Sequence, residues 1–358
     1  PCFLMFFTDA SRAPSSGVAF RKRWRNYGHG YMPLRVFKRG GFCILEGLIK
    51  NGGGGWNLLA QFGSDCRPNK RLIFSVNNHQ SQARLDVLRN GQVHWVAGGK
   101  HHGWISVSGV AFAARSAGQK GLSLRNHWRN YGGAYGSSSY RVQGDLCMVS
   151  GLIRGNRWGF MAQLPSACRP NKRLIFNLNN HGKSARVDVL TNGQIHWVAG
   201  SRSHAWMSLT GIVFTRSTHS RHQSPLKLLS SWRNYAHSYG HSSFTVHNGI
   251  CVVEGLLRRG GGNNMARVPA ACRPAGRLIF NMNNHQHSAR VDLQTNGYMS
   301  WHAGGRSHGW LSVSGMILAV RAGRSSRAPT VAKSGIGFVN RWRNYGHGYM
   351  PLRVFKRG

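Results

Sequence analysis

The sequence predicts an all-β protein made of tandem antiparallel β-sandwich domains of jelly-roll type, three complete and a fourth begun. Three observations predict it: a long internal repeat, hydrophobic patterning of period two around Asn-Gly turns, and no stretch with helical periodicity. WRNY begins at Trp24, Trp128, Trp232 and Trp342. The first three copies continue through the same phrases: CILEGLI, CMVSGLI and CVVEGLL, then CRPNKRLIF twice and CRPAGRLIF, then NNH hairpins, and finally HGWISVSGVAF, HAWMSLTGIVF and HGWLSVSGMIL. The repeats occupy 15–115, 119–217 and 223–323, an ordinary domain size. Residues 1–14 read as the end of a preceding repeat or a linker, 324–340 as a linker and 341–358 as the first strands of a fourth repeat.

Within each repeat the firmest element is a hairpin. In the first copy ARLDVL and VHWVAG flank Asn90-Gly91, a pair suited to a two-residue turn with positive φ. A two-residue loop pairs Arg89 with Gln92. It places Ala83, Leu85, Val87, His94 and Val96 on a core face, and Arg84, Asp86, Leu88, Val93 and Trp95 on the other. Arg84 and Asp86 are then spaced to form a strand salt bridge, with Trp95 in diagonal reach of the guanidinium. Arg186, Asp188 and Trp197, and Arg290, Asp292 and Trp301, repeat the arrangement. NGGGG at 51–55 lacks the Lys-Ser/Thr of a phosphate loop and reads as a hairpin loop. The connectors ARSAGQKG, TRSTHSRHQSP and RAGRSSRAPTVAKSG read as exposed linkers.

The run CRPNKRLIF…ARVDVLTNGQIHWVAG…WMSLTGIVF, preceded by WRNYGGAY and a strand of the form VxGLI, resembles the C-terminal β-sandwich domain of many bacteriophage tail-fibre and baseplate proteins. Related tandem copies occur in predicted proteins of unicellular algae. The resemblance covers nearly all of the folded part of each repeat and rests on the order and spacing of these phrases. It implies an adhesive or receptor-facing domain of a kind that assembles as trimers.

One cysteine pair recurs per repeat: Cys43 with Cys66, Cys147 with Cys168, and Cys251 with Cys272. With no CxxC cluster to suggest zinc, the pairs read as intradomain disulfides, each contributing roughly 3 kcal/mol. Disulfides imply a secreted, extracellular or secretory-storage location. Cys2 is left over. His79, His181 and His285 recur in NNH, and His102, His204 and His308 two residues before a Trp. No carboxylate or cysteine accompanies them at ligand spacing, so they read as pH-sensitive loop residues, with neither metal nor cofactor expected.

The chain carries 48 Lys and Arg against 8 Asp and Glu, a formal charge of +40, and 19 His. Such a surface attracts polyanions. An enzyme is not expected: only the RxD aspartate recurs, it already has an arginine neighbour, and Ser106, Ser208 and Ser312 lack a nucleophile elbow. No apolar run reaches membrane-spanning length. The expected function is a non-enzymatic extracellular structural or adhesive repeat protein that forms a fibre, coat or filament. It would self-associate or hold an acidic protein partner through Arg84, Arg186, Arg290 and the surface rings of Trp95, Trp104, Trp197, Trp206, Trp301 and Trp310. Lectin-like binding of sulfated or acidic polysaccharide is the alternative. Nucleic acid is a weaker one, because disulfides and the lack of any RNA- or DNA-binding signature weigh against it. Residues 23–40 recur letter for letter at 341–358, so the expectation includes a longer array in phase every third domain, or head-to-tail strand exchange between molecules.

Overall fold

The computed structural model describes residues 18–320. Cys2, Asp9, the strand expected in 1–14, the third linker and the start of the fourth repeat lie outside the described residues. The chain within them is nearly all antiparallel β-structure, with short 3₁₀ turns at Ser64–Cys66, Ser166–Cys168, Ser217–His222 and Ala270–Cys272.

Each repeat is a two-layer sandwich. In the first, one layer is a five-stranded sheet ordered Ala19–Phe20, Leu58–Gln61, Gln92–Gly98, Ser81–Val87 and Leu72–Asn78. The other is split in two. Phe42–Glu46 pairs with Arg35–Arg39 and Val110–Ala113, while Leu48–Lys50 pairs with Arg25–Asn26 and Trp104–Ser106. Gly47 makes the break: its φ is +135°, and a Cβ there would lie 2.7 Å from the Leu34 backbone, so no other residue fits without a shift. Leu72, Phe74, Val76, Ala83, Leu85 and Val87 face Cys43, Leu45, Ile49, Val110 and Phe112 to form the core. The second and third repeats build the same core around Phe176 and Phe214, and around Phe280 and Leu318.

The three cysteine pairs are bonded as expected, with Cα atoms 5.5, 5.5 and 5.6 Å apart. The connectors are less exposed than expected. Ala114 and Ala117 are buried, and Lys120–Gly121 and Ser224–Pro225 run straight into edge strands of the next repeat. NGGGG is not a hairpin loop: it joins Leu48–Lys50 to Leu58–Gln61, which lie in different sheets.

The hairpin register differs from the expected one by a residue. Leu88 N–H donates to Gln92 O and Gly91 N–H to Leu88 O, both at 2.9 Å, so the loop is three residues long, with Gly91 alone at positive φ, +83°. Val87 therefore pairs with Val93, Asp86 with His94 and Leu85 with Trp95, before a bulge at Val96. Trp95 and Val93 thus share the core side, and His94 takes the place opposite Asp86 that Trp95 was expected to hold. The same correction applies to Trp197 beside Val187 and Trp301 beside Val291.

The repeats do not lie as beads. Arg71 donates its backbone N–H to Ala134 O and accepts from Gly136 N–H, Arg173 does the same with Ser238 and Gly240, and Arg277 with Gly30 and Met32. First joins second, second joins third, and third returns to first, which is a closed ring with pseudo-threefold symmetry. On its axis Phe42, Ile44, Leu146, Met148, Ile250 and Val252 pack together as a separate apolar cluster, and the strands beginning at Leu72, Leu174 and Leu278 adjoin one another.

Candidate functional site: three clasps between the repeats

Strand alternation decides what each repeat presents to its neighbour. Phe74 and Val76 point into their own sandwich, so Ile73, Ser75 and Asn77 point out, and their partners across the hairpin, Asp86, Arg84 and Gln82, share that face. This face is not solvent-exposed: Asp86, Asp188 and Asp292 are all 0% exposed.

The buried aspartate is held by two arginines. Arg84 grips Asp86 through Nε and Nη2, both at 2.8 Å, and Arg71 Nε adds a contact of 2.6 Å. Asp188 is held in the same way by Arg186 and Arg173, and Asp292 by Arg290 and Arg277. The expected strand salt bridges are therefore present, and each gains a second cation from the CRPNKR or CRPAGR phrase. Burial pulls the Arg84, Arg186 and Arg290 guanidinium groups down, but the hydrogen bonds and charge of their aspartates outweigh it and leave all three above the ordinary range.

The remaining guanidinium edge reaches into the next repeat. Arg84 lies over the Trp206 ring at 5.3 Å, 3.2 Å from His181 Nδ1 and 3.4 Å from the Tyr135 hydroxyl. Arg186 meets Trp310, His285 and Tyr239, and Arg290 meets Trp104, His79 and Tyr31, with distances of the same size. Arg71, Arg173 and Arg277 stack on those tyrosines, at 5.0, 5.0 and 5.1 Å. Behind each contact the rings of the two recurring histidines pack together at a tilt, with centroids 4.4 Å apart for His79 and His102, 4.5 Å for His181 and His204 and 4.4 Å for His285 and His308. Burial, then the facing imidazole and guanidinium, hold His79, His181 and His285 below the usual imidazole range. Ser106, Ser208 and Ser312 close the same seams by donating to Ile279 O, Ile73 O and Ile175 O.

Arg84, Arg186, Arg290, Trp104, Trp206 and Trp310 thus converge, but not on a surface. None is more than 8% exposed, which corrects their assignment as polyanion-facing groups. The recurrence of RxD and of His-x-Trp was visible in sequence, but the two belong to opposite sides of one seam. Tyr31, Tyr135 and Tyr239 and the second arginines were missed, although their own recurrence would have marked them.

The other indoles stand apart from the seams. Trp95 packs edge-on against Trp56, which packs on Trp24, at 5.6 and 5.0 Å, and Trp128, Trp158 and Trp197 form the same column. Trp301 is buried, whereas Trp95 and Trp197 are partly buried against their cores. Lys100, Arg202 and Arg306 lie over Trp95, Trp197 and Trp301.

Six of the seven acids among the described residues are buried, and only Asp65 is exposed. Among the described residues no group of three His, Cys, Asp or Glu is arranged to hold a metal ion, and no helix is long and apolar enough to cross a membrane. No family model, no curated protein and no solved structure matches the chain.

Proposed function

We propose that the chain is a non-enzymatic structural and adhesive block of the extracellular space, a rigid ring whose basic exterior binds polyanionic partners. The observation that carries this reading is the segregation of charge. Among the described residues the fold takes six of the seven carboxylates inside, while most of the lysines and many arginines remain outside. A ring so charged repels its own copies, so assembly into a fibre or coat proceeds through a bridging polyanion. Three disulfides in one chain are consistent with an oxidising location.

A heparin-type sulfated polysaccharide tests the reading. The ring should sediment alone as a single particle, bind the polysaccharide at about 0.15 M ionic strength with an affinity that falls steeply with salt, and form larger particles with it. Failure to bind any polyanion at that ionic strength would remove the reading. Lectin-like binding is a second reading, favoured by the partly exposed Trp95 and Trp197 rings with cations laid over them, a surface on which sugar rings stack and acidic groups pair.

A further inference from the structure

The NNH turns of the three repeats meet at one end of the pseudo-threefold axis and surround a depression of about 680 Å3. Gln82, Ser184 and Ser288, at corresponding positions, supply the buried polar side chains of its lining and form its floor. They are tied together: Ser184 Oγ donates to Gln82 Oε1 at 3.1 Å and shares a short hydrogen bond with Ser288. Around them stand His101 from the first repeat, Lys183 and Arg202 from the second and His287 from the third, with serine hydroxyls, glutamine amides and glycine backbone between. Among the described residues, no carboxylate and no apolar side chain lines the depression.

We propose that this axial depression is a binding site for an acidic saccharide unit, a sulfated or carboxylated mono- or disaccharide. The inference deepens the polyanion reading and rests on it. The volume falls within the range of small-ligand sites, but the wall is polar throughout, which disfavours an apolar ligand. Hydroxyl and amide groups match sugar hydroxyls, while a guanidinium fork and an ammonium match a sulfate or carboxylate. A nucleobase would need aromatic faces, and only the two histidine rings are present.

The site belongs to the closed ring, because no single repeat supplies the floor and the cations together. It is also asymmetric. Ser81, Lys183 and His287 hold the same hairpin position in the three repeats, so the ammonium comes from the second repeat alone. The stoichiometry is therefore one ligand per chain, not three.

The test is calorimetric titration of the full chain with a sulfated heparin disaccharide, with inorganic sulfate and an oligonucleotide as comparison probes. Lys183→Gln with Arg202→Gln alters the depression, and Arg258→Gln with Arg259→Gln removes exposed charge that does not line it. One disaccharide per chain, weakened about tenfold or more by the first pair and unchanged by the second, supports the site. Ligand-induced shifts of the His101 and His287 ring resonances give the same information without a variant. Disaccharide binding that is equal in both variants, threefold in stoichiometry, no stronger than sulfate or weaker than the oligonucleotide overturns it. So does failure to bind the disaccharide while long heparin still binds, which leaves the polyanion reading standing; failure to bind either overturns both.

Discussion

Asp188 shows how much a single residue carries here. Fully buried between Arg173 and Arg186, it neutralises guanidinium groups that would otherwise enter the seam uncompensated. Breaking a buried pair by removing one partner leaves a buried charge, so Asp188→Asn should cost about 3 to 5 kcal/mol in denaturant unfolding. Exposed Asp65→Asn should change stability by no more than about 0.5 kcal/mol. Equal small effects would mean the aspartate is solvated. The acids at the seams also set a pH profile. Burial raises Glu46 to about 8 and Glu254 to about 7, against the hydrogen bonds each accepts from Ala319 N–H and Thr215 N–H in the neighbouring repeats. A carboxyl raised in the fold keeps its proton there, so its contribution is present below the ordinary 4.5 and is lost as pH rises through 7 to 8. The lowered His79, His181 and His285 act oppositely: their contribution is present above the ordinary 6.5 and is lost as pH falls from there through their lowered values. His94, His196 and His302, lowered first by burial, add to the acid limb. Unfolding midpoints should therefore peak between these limits, and Glu46→Gln with Glu254→Gln should flatten the alkaline limb only. An unchanged alkaline limb would show that the two carboxyls are ionised in the fold.

At the scale of the element, the hairpin shows what was legible and what was not. Its strands, its Asn-Gly turn and the Arg84–Asp86 pair could be read because each depends on neighbours within a few residues. The register could not, because Asn-Gly serves both a two-residue loop and a three-residue loop with glycine in the left-handed region. The choice between them is made by distant packing: Phe62 N–H donates to Gly91 O, and Leu164 N–H to Gly193 O. One residue of slip moved Trp95 from the arginine face to the core side. Gly193→Ala tests the loop assignment. With φ at +86° and a Cβ 2.6 Å from Leu164 O, it should cost about 1 to 3 kcal/mol, while Asn192→Ala costs less. A neutral Gly193→Ala would contradict the three-residue loop.

At the scale of the molecule, the three repeats and their disulfides were legible because recurrence needs no knowledge of contacts. Closure was not, because every seam joins residues of different repeats, with side-chain contacts in the clasps spanning 51 to 259 positions. In addition, Arg290, in the third repeat, finds Tyr31, His79 and Trp104 of the first. Exposed arginines next to tryptophans are a normal sign of a binding surface, and here the same residues hold the ring shut. The function proposed follows from that inversion, since the recurring arginines of the clasps are internal, while Arg25, Arg129 and Arg233 of the WRNY phrase and most of the scattered lysines form the basic exterior.

The closed ring is the central claim, and small-angle scattering from residues 18–320 tests it most directly. A compact body of this length should give a radius of gyration of about 19 Å and a single-peaked distance distribution. A much larger radius, with separate lobes at the spacing of independent domains, would contradict the ring and with it the clasps that close it.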